Sequence, residues 1–334
     1  MLPVLLLSAL VVIVGYRLAP TFTPAPRPPQ PWPVRPSPAA TVDLGVTTTS
    51  LGQNSWREWQ AADLHSVNAF EQTVRKHVSI VMWYSDWQHN EVSLPQLNAV
   101  AARGSIPEIT WEPWDSTKGL YSRQPNYTLA SIINGRHDAY IRSWARALAS
   151  YGKPVRLRFA QEMNGNWYPW SENANTNHRG EIVKAWRHIH DIFSAAGATN
   201  VLWVWSPVAL AYAINGEQYP GRNYVDIVGL SAFNGGSQLK YSPWKTFVAK
   251  MDASLALLKK IAPGKPIEIS EVGTAEEGGS KPQWINDMFQ FLKTEPQITA
   301  LIWYDIHTTS DWRVETSRAA IEAFAAGVSD PRYR

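Results

Sequence analysis

Between residues 158 and 170 the chain reads RFAQEMNGNWYPW. One carboxylic acid, Glu162, stands among a guanidinium (Arg158), carboxamides (Gln161, Asn164, Asn166) and three aromatic rings (Trp167, Tyr168, Trp170). A core strand would not gather so many polar groups, and Pro169 does not fit a helix interior. A second acid, Glu271, lies in the run KPIEISEVG (265–273). Two carboxyl groups facing each other suit glycoside hydrolysis: one protonates the leaving oxygen while the other attacks the anomeric carbon. Such a pair needs different proton affinities, set by different surroundings. Arg158, four residues before Glu162, points to the same side of an extended strand. It lies deeper and could hold a carboxylate ionised from below. A lone glutamate at a strand end is as often an ion-pair member, but two at opposed ends of a Trp-rich chain favour chemistry. The chain has 17 Trp, whose flat faces stack on sugar rings, although most single Trp serve packing.

The elements that would carry these residues recur along the chain. Apolar runs fall at 42–46, 78–84, 105–114, 154–162, 200–207, 225–233, 265–273 and 298–305. Amphipathic stretches such as 137–152, 179–197 and 242–264 lie between them and end in Gly. Eight strands alternating with helices predict a single parallel (β/α)8 TIM barrel over residues 42–325, with a C-terminal tail at 326–334. Barrel enzymes work at the C-terminal strand ends. There the sequence offers Thr47, Thr48 and Thr49, then Trp83, Asp86 and Trp87, then Trp111, Glu112 and Trp114. Later strands add Trp205 and Ser206, Phe233 and Asn234, and finally Trp303, Tyr304, Asp305 and His307. Asp86 and Glu112 either bind sugar hydroxyls or satisfy loop amides. Glu268, three residues before Glu271, is turned away by strand alternation and reads as structural.

Composition narrows the function. The 334 residues are 18% charged with a net charge of +3, and no basic stripe marks a nucleic-acid surface. There is no Cys, and the eight His are scattered, so no metal or other cofactor is expected. No Gly-rich nucleotide loop or GxSxG elbow occurs. Residues 1–16 are almost wholly apolar, and nine prolines follow in 20–38. Residues 1–19 are read as a signal peptide or membrane anchor and 20–41 as a stiff Pro-rich linker. That arrangement suggests an enzyme or binder, secreted or tethered outside the cell; a monomer is expected, and the carboxylate pair points to a polysaccharide as its substrate.

The stretch Arg158, Gln161, Glu162, Met163, Asn164, Gly165, Trp167, Pro169 and Trp170 resembles the hallmark of glycoside hydrolase family 26. That hallmark runs Arg-x-x-His-Glu-Met-Asn-Gly-x-Trp-x-Pro-Trp. Runs 135–159, 199–207, 219–234 and 265–273 resemble the family's neighbouring elements. The resemblance implies that Glu162 is the acid/base and Glu271 the nucleophile of a retaining endo-β-glycosidase. It makes Trp303 the aromatic floor of the sugar subsite. Arg158, Gln161, Asn164, Trp167, Trp170, Trp111 and Asp86 are the further candidate substrate contacts. Several positions depart from the pattern, among them Gly235 and Gly236, where a Trp often follows Phe-Asn. Gln161 replaces the usual His, Val208 a common Asn, and Phe233 a Tyr that commonly hydrogen-bonds the nucleophile. The family's substrates imply β-1,4-mannan or glucomannan first and mixed-linkage β-1,3-1,4-glucan second. Tyr304, where some mannan-active members carry Arg, weakens the first. A non-catalytic carbohydrate-binding barrel and an envelope protein that processes exopolysaccharide are the alternatives.

Overall fold

The structure is a computed structural model that describes residues 41–48, 64–89, 91–237, 239 and 242–334. The apolar leader, nearly all of the Pro-rich stretch and Thr49 lie outside the described residues. Among the described residues, no helix is long and apolar enough to cross a membrane. The strands are β1 (Asp43–Thr48), β2 (Ile80–Asp86), β3 (Ile106–Glu112), β4 (Val155–Phe159), β5 (Val201–Trp205), β6 (Ile227–Asn234), β7 (Ile267–Thr274) and β8 (Ile298–Asp305). They close in sequence order into one parallel barrel, as the eight apolar runs predict.

Helices cover the outside. In order they are α1 (His65–Val74), α2 (Leu94–Ala102), α3 (Leu129–Ile133), α4 (Asp138–Tyr151), α5 (Glu181–Ala195), α6 (Phe247–Ile261), α7 (Lys281–Lys293) and α8 (Arg318–Val328). Their apolar residues recur at helical spacing: α4 buries Ile141, Trp144, Ala145 and Leu148 against the barrel. It stops at Gly152, whose φ of 71° only glycine adopts cheaply. Thr246 caps α6 and Ser280 caps α7 through side-chain oxygens.

Period-2 alternation sorts each strand into two faces. Val81 and Trp83 of β2 and Leu301 and Trp303 of β8 join the outer core beneath the helices. Ile80, Met82, Tyr84, Ala300, Ile302 and Tyr304 fill the interior. The interior is tight. A Cβ on Gly45 would stand 2.8 Å from Ile302 Cγ1 and 3.0 Å from Ile80 Cβ.

The barrel floor is charged. Buried Arg156 donates to Glu268 at 2.6 Å and to Asp43 at 2.9 Å, and Glu108 Oε2 lies 4.0 Å away. Burial, reinforced by the charge of Glu268, pushes the Glu108 carboxyl well above the usual range. Two expectations are corrected here. Glu268 is structural, but it is not turned away. Leu230 pairs with Ile269 and Ser231 with Glu271, so a bulge leaves Ser270 as an extra residue. The bulge cancels the alternation, and Glu268 and Glu271 both enter the interior, one layer apart. Residues 326–334 are also no loose tail. Helix α8 crosses the expected boundary, Val42 and Leu44 pair with the backbone of Arg332 and Arg334, and Arg334 donates to Asp43 at 2.6 Å.

Arg156→Ala leaves Glu268 buried without its cation, while Asp43 keeps Arg334, and is expected to cost about 3–5 kcal/mol of stability. Urea unfolding measures this; a loss under about 1 kcal/mol would mean that the floor network is dispensable.

Candidate functional site

One layer above the floor, Arg158 of β4 is fully buried. Its guanidinium lies 3.2 Å from each oxygen of Glu271 on β7. It also donates to Ser231 Oγ on β6 at 2.6 Å and to Thr110 Oγ1 on β3 at 3.3 Å. The Tyr84 hydroxyl of β2 donates to Glu271 Oε1. Glu271 therefore receives donors from two sides, a setting built for a carboxylate anion.

Glu162 approaches from the end of β4 on unusual backbone. Ala160 and Glu162 adopt φ of 48° and 54°, the left-handed region that non-glycine residues enter at a cost. The Glu162 N–H donates to the Ser206 carbonyl at 2.8 Å, which anchors the turn to the end of β5. Trp167 Nε1 donates to Glu162 Oε2 at 3.0 Å. Burial raises the Glu162 pKa to about 7, and the charge of Glu271 adds to this while Arg158 opposes it. The two carboxyl groups thus sense each other and stand in contrasting surroundings: Glu271 on a guanidinium and a phenol, Glu162 on an indole N–H and the Ser231 hydroxyl.

Other expected contacts serve the scaffold. Arg158 lies beneath Glu271 rather than in the opening. Gln161 is fully buried and donates to Glu112, which also accepts from Trp114 Nε1 at 3.2 Å. Burial raises Glu112 to about 8. The Asn164 amide clamps Val208, donating to its carbonyl at 3.0 Å and accepting from its N–H at 2.8 Å. Asp86 accepts from the N–H groups of His89 and Ser116 at 2.7 and 3.2 Å, so it staples two loops. Asp305 accepts from Val314 N–H at 2.7 Å and pins the loop after β8, and His307 stands 3.9 Å from Asp311.

Three tryptophans are corrected. Trp303 is fully buried on the outer face of β8, its ring 5.1 Å from Phe324 of α8, so it floors no subsite. Trp111 is fully buried among Trp87, Trp144 and Phe193 outside the barrel. Trp170 is buried in a stack with Tyr168 at 4.2 Å and donates to the Gln161 carbonyl at 2.8 Å. Trp167 remains at the acid and partly exposed. Phe233 faces inward and packs edge-on against Tyr304 at 5.0 Å and against Trp312 at 5.1 Å. Tyr84, Ser231 and Trp312 were not among the expected site residues. Counting back by twos from Asp86 would have put Tyr84 inside and Trp83 outside.

The sequence comparisons agree with this geometry. Residues 106–277 match the model of Glycosyl hydrolase family 26. The chain is 34% identical to Endoglucanase H of Acetivibrio thermocellus over 303 residues, 86% of this chain and 32% of that protein. It is 32% identical to a mannan endo-1,4-beta-mannosidase of Bacillus subtilis over 58% of this chain and 47% of that protein. It thus spans less than half the length of these curated relatives. Among solved structures, a Cellulomonas fimi endo-beta-1,4-mannanase double mutant superposes with TM-score 0.64 at 19% identity, covering 88% of this chain and 72% of that one. A GH26 beta-mannanase from Bacteroides ovatus gives 0.64 at 15% identity, covering 88% and 90%. At such identities the structures speak for the barrel alone. The family match takes in both carboxylates, their guanidinium and half of the sequence, and on it the chain belongs to glycosyl hydrolase family 26.

Proposed function

We propose that the chain is a retaining endo-β-glycosidase in which Glu162 is the acid/base and Glu271 the nucleophile. The observation that carries this is the asymmetry of the pair. Burial raises the Glu162 pKa to about 7, which suits a general acid, while Glu271 is held in place by a guanidinium and a phenol hydroxyl. In the first step Glu162 gives its proton to the glycosidic oxygen as Glu271 attacks the anomeric carbon. The leaving sugar departs and a glycosyl ester forms on Glu271. In the second, Glu162 takes a proton from water, whose oxygen attacks the same carbon and releases Glu271. Trp167 Nε1 steadies the ionised Glu162 between the two steps.

The substrate we favour is β-1,4-mannan or glucomannan, in line with the mannanase names among the relatives. Mixed-linkage β-1,3-1,4-glucan is the second reading, and Tyr304 favours it. It stands inside the barrel beside Phe233, at the strand end where the mannan reading looks for an Arg. The name of Endoglucanase H does not decide between them, because the chain matches only 32% of that protein. A polar reader of the 2-hydroxyl discriminates the epimers far more strongly than an apolar wall. Comparing kcat/KM on glucomannan, galactomannan and mixed-linkage glucan tests the choice. Release of reducing ends fastest from the mannans supports the first reading, and activity on mixed-linkage glucan alone replaces it with the second.

The acid role also fixes a pH dependence. A general acid works while protonated, so kcat/KM is expected to fall as pH rises, with a midpoint near 7 that belongs to the coupled pair. Tyr84→Phe removes a hydroxyl donor to Glu271 and is expected to lower kcat/KM at the optimum by about tenfold. A wild-type profile flat to pH 9 would contradict the role of Glu162, and an unchanged kcat/KM in Tyr84→Phe that of Tyr84.

A further inference from the structure

One lysine is buried in a place that disfavours its charge twice. Lys281 is the first residue of α7, directly after the Ser280 cap, and its side chain is fully out of solvent. The helix dipole repels a cation at that end, and burial strips away its water. Burial pulls its pKa down to about 8, while the charges of Glu276, Asp311 and Asp305 oppose this. At neutral pH it is an ammonium, and the groups it holds must offset its desolvation.

Those groups belong to the loop after β8. The Lys281 Nζ donates to the Arg313 carbonyl at 2.6 Å and reaches the Asp311 carbonyl at 3.4 Å. The two carbonyls flank Trp312. The loop is tied at further points. Val314 N–H donates to Asp305, Thr316 Oγ1 donates at 2.8 Å to Glu276 of the loop after β7, and Trp312 N–H closes back on the Ile306 carbonyl at 3.1 Å. Of these ties, Lys281 is the one that grips both sides of Trp312.

Trp312 reaches the interior beside Glu271. Its ring lies 5.1 Å from Phe233, and it shares the inner cluster with Tyr84, the donor to Glu271. On β7 it rests on Gly273. Glu271 and Gly273 pair with Ser231 and Phe233, two inward residues of β6, so both face the same way. A Cβ on Gly273 would stand 3.1 Å from Trp312 Cβ and 3.4 Å from the indole ring. The missing side chain is the seat of the tryptophan, one step above Glu271.

We propose that Lys281 is a positioning residue, whose ammonium fixes the loop after β8 so that Trp312 closes the apolar wall beside Glu271. Lys281 touches no reacting atom and acts through Trp312. Its effect on turnover rests on the glycosidase reading; its grip on the loop does not.

The test is a double-mutant cycle. Lys281→Met keeps the length of the side chain and removes its charge; it is compared with Trp312→Ala and with the double variant. On the polysaccharide that the wild type cleaves fastest, each single variant is expected to lose about tenfold in kcat/KM, since a small displacement beside the reacting groups is enough for such a loss. The double variant is expected to lose no more than Trp312→Ala alone, because nothing is left for the lysine to position. Losses that multiply, or an unchanged Lys281→Met, would overturn the proposal. Hydrogen exchange followed by mass spectrometry gives a readout free of turnover. Peptides covering 306–316 should exchange about tenfold faster in Lys281→Met while those of β7 keep their wild-type rates. Loop peptides that do not change, or faster exchange throughout the barrel, would overturn the grip. If Lys281→Met does not fold, both readouts are taken on Lys281→Gln, which keeps a neutral donor and should show the same losses in smaller measure. If the wild type cleaves no glycoside while the loop still exchanges faster in the variant, the catalytic reading fails and the grip of Lys281 stands.

Discussion

The site depends on one buried cation. Arg158 has no solvent to screen it, and a lone guanidinium in such a place would cost several kcal/mol. It is held because Glu271, Ser231 and Thr110 converge on it from three different strands. The same contacts fix Glu271. Removing Glu271 strands the arginine, and removing Arg158 strands the glutamate, so the loss of either one costs the barrel stability. Arg156 repeats the device one layer down with Asp43 and Glu268. The interior is therefore two stacked charge layers, the lower holding the barrel and the upper poised for chemistry.

This architecture also explains how a departure from the family pattern is absorbed. Phe233 brings no hydroxyl to Glu271. Tyr84, from β2, reaches Glu271 instead. The donor has changed strands while its target has not, and Phe233 is left to pack with Tyr304 and Trp312 as an apolar wall. A closed barrel permits this, because inward residues of several strands meet at one height.

Much of this was legible in the sequence. Eight apolar runs marked eight strands, and the spacing of Arg158 and Glu162 put both on one side of β4. What the sequence hid was parity. Trp303 and Tyr304 are neighbours, and only the pleat decides that Trp303 meets Phe324 outside while Tyr304 enters the barrel. A bulge at Ser270 defeats even careful counting, as Glu268 and Glu271 demonstrate. A long-range loop clamp such as Asn164 on Val208 has no local signature, so an amide that looks like a sugar reader turns out to fasten a wall.

The central claim is that Glu162 and Glu271 perform different halves of one double displacement. Azide rescue of Glu162→Ala and Glu271→Ala, followed by proton NMR of the products, tests it most directly. The account predicts glycosyl azide of retained configuration from Glu162→Ala, where azide attacks the enzyme ester, and of inverted configuration from Glu271→Ala, where it attacks the substrate itself. The same anomer from both, or near-normal hydrolysis in either without azide, would contradict it.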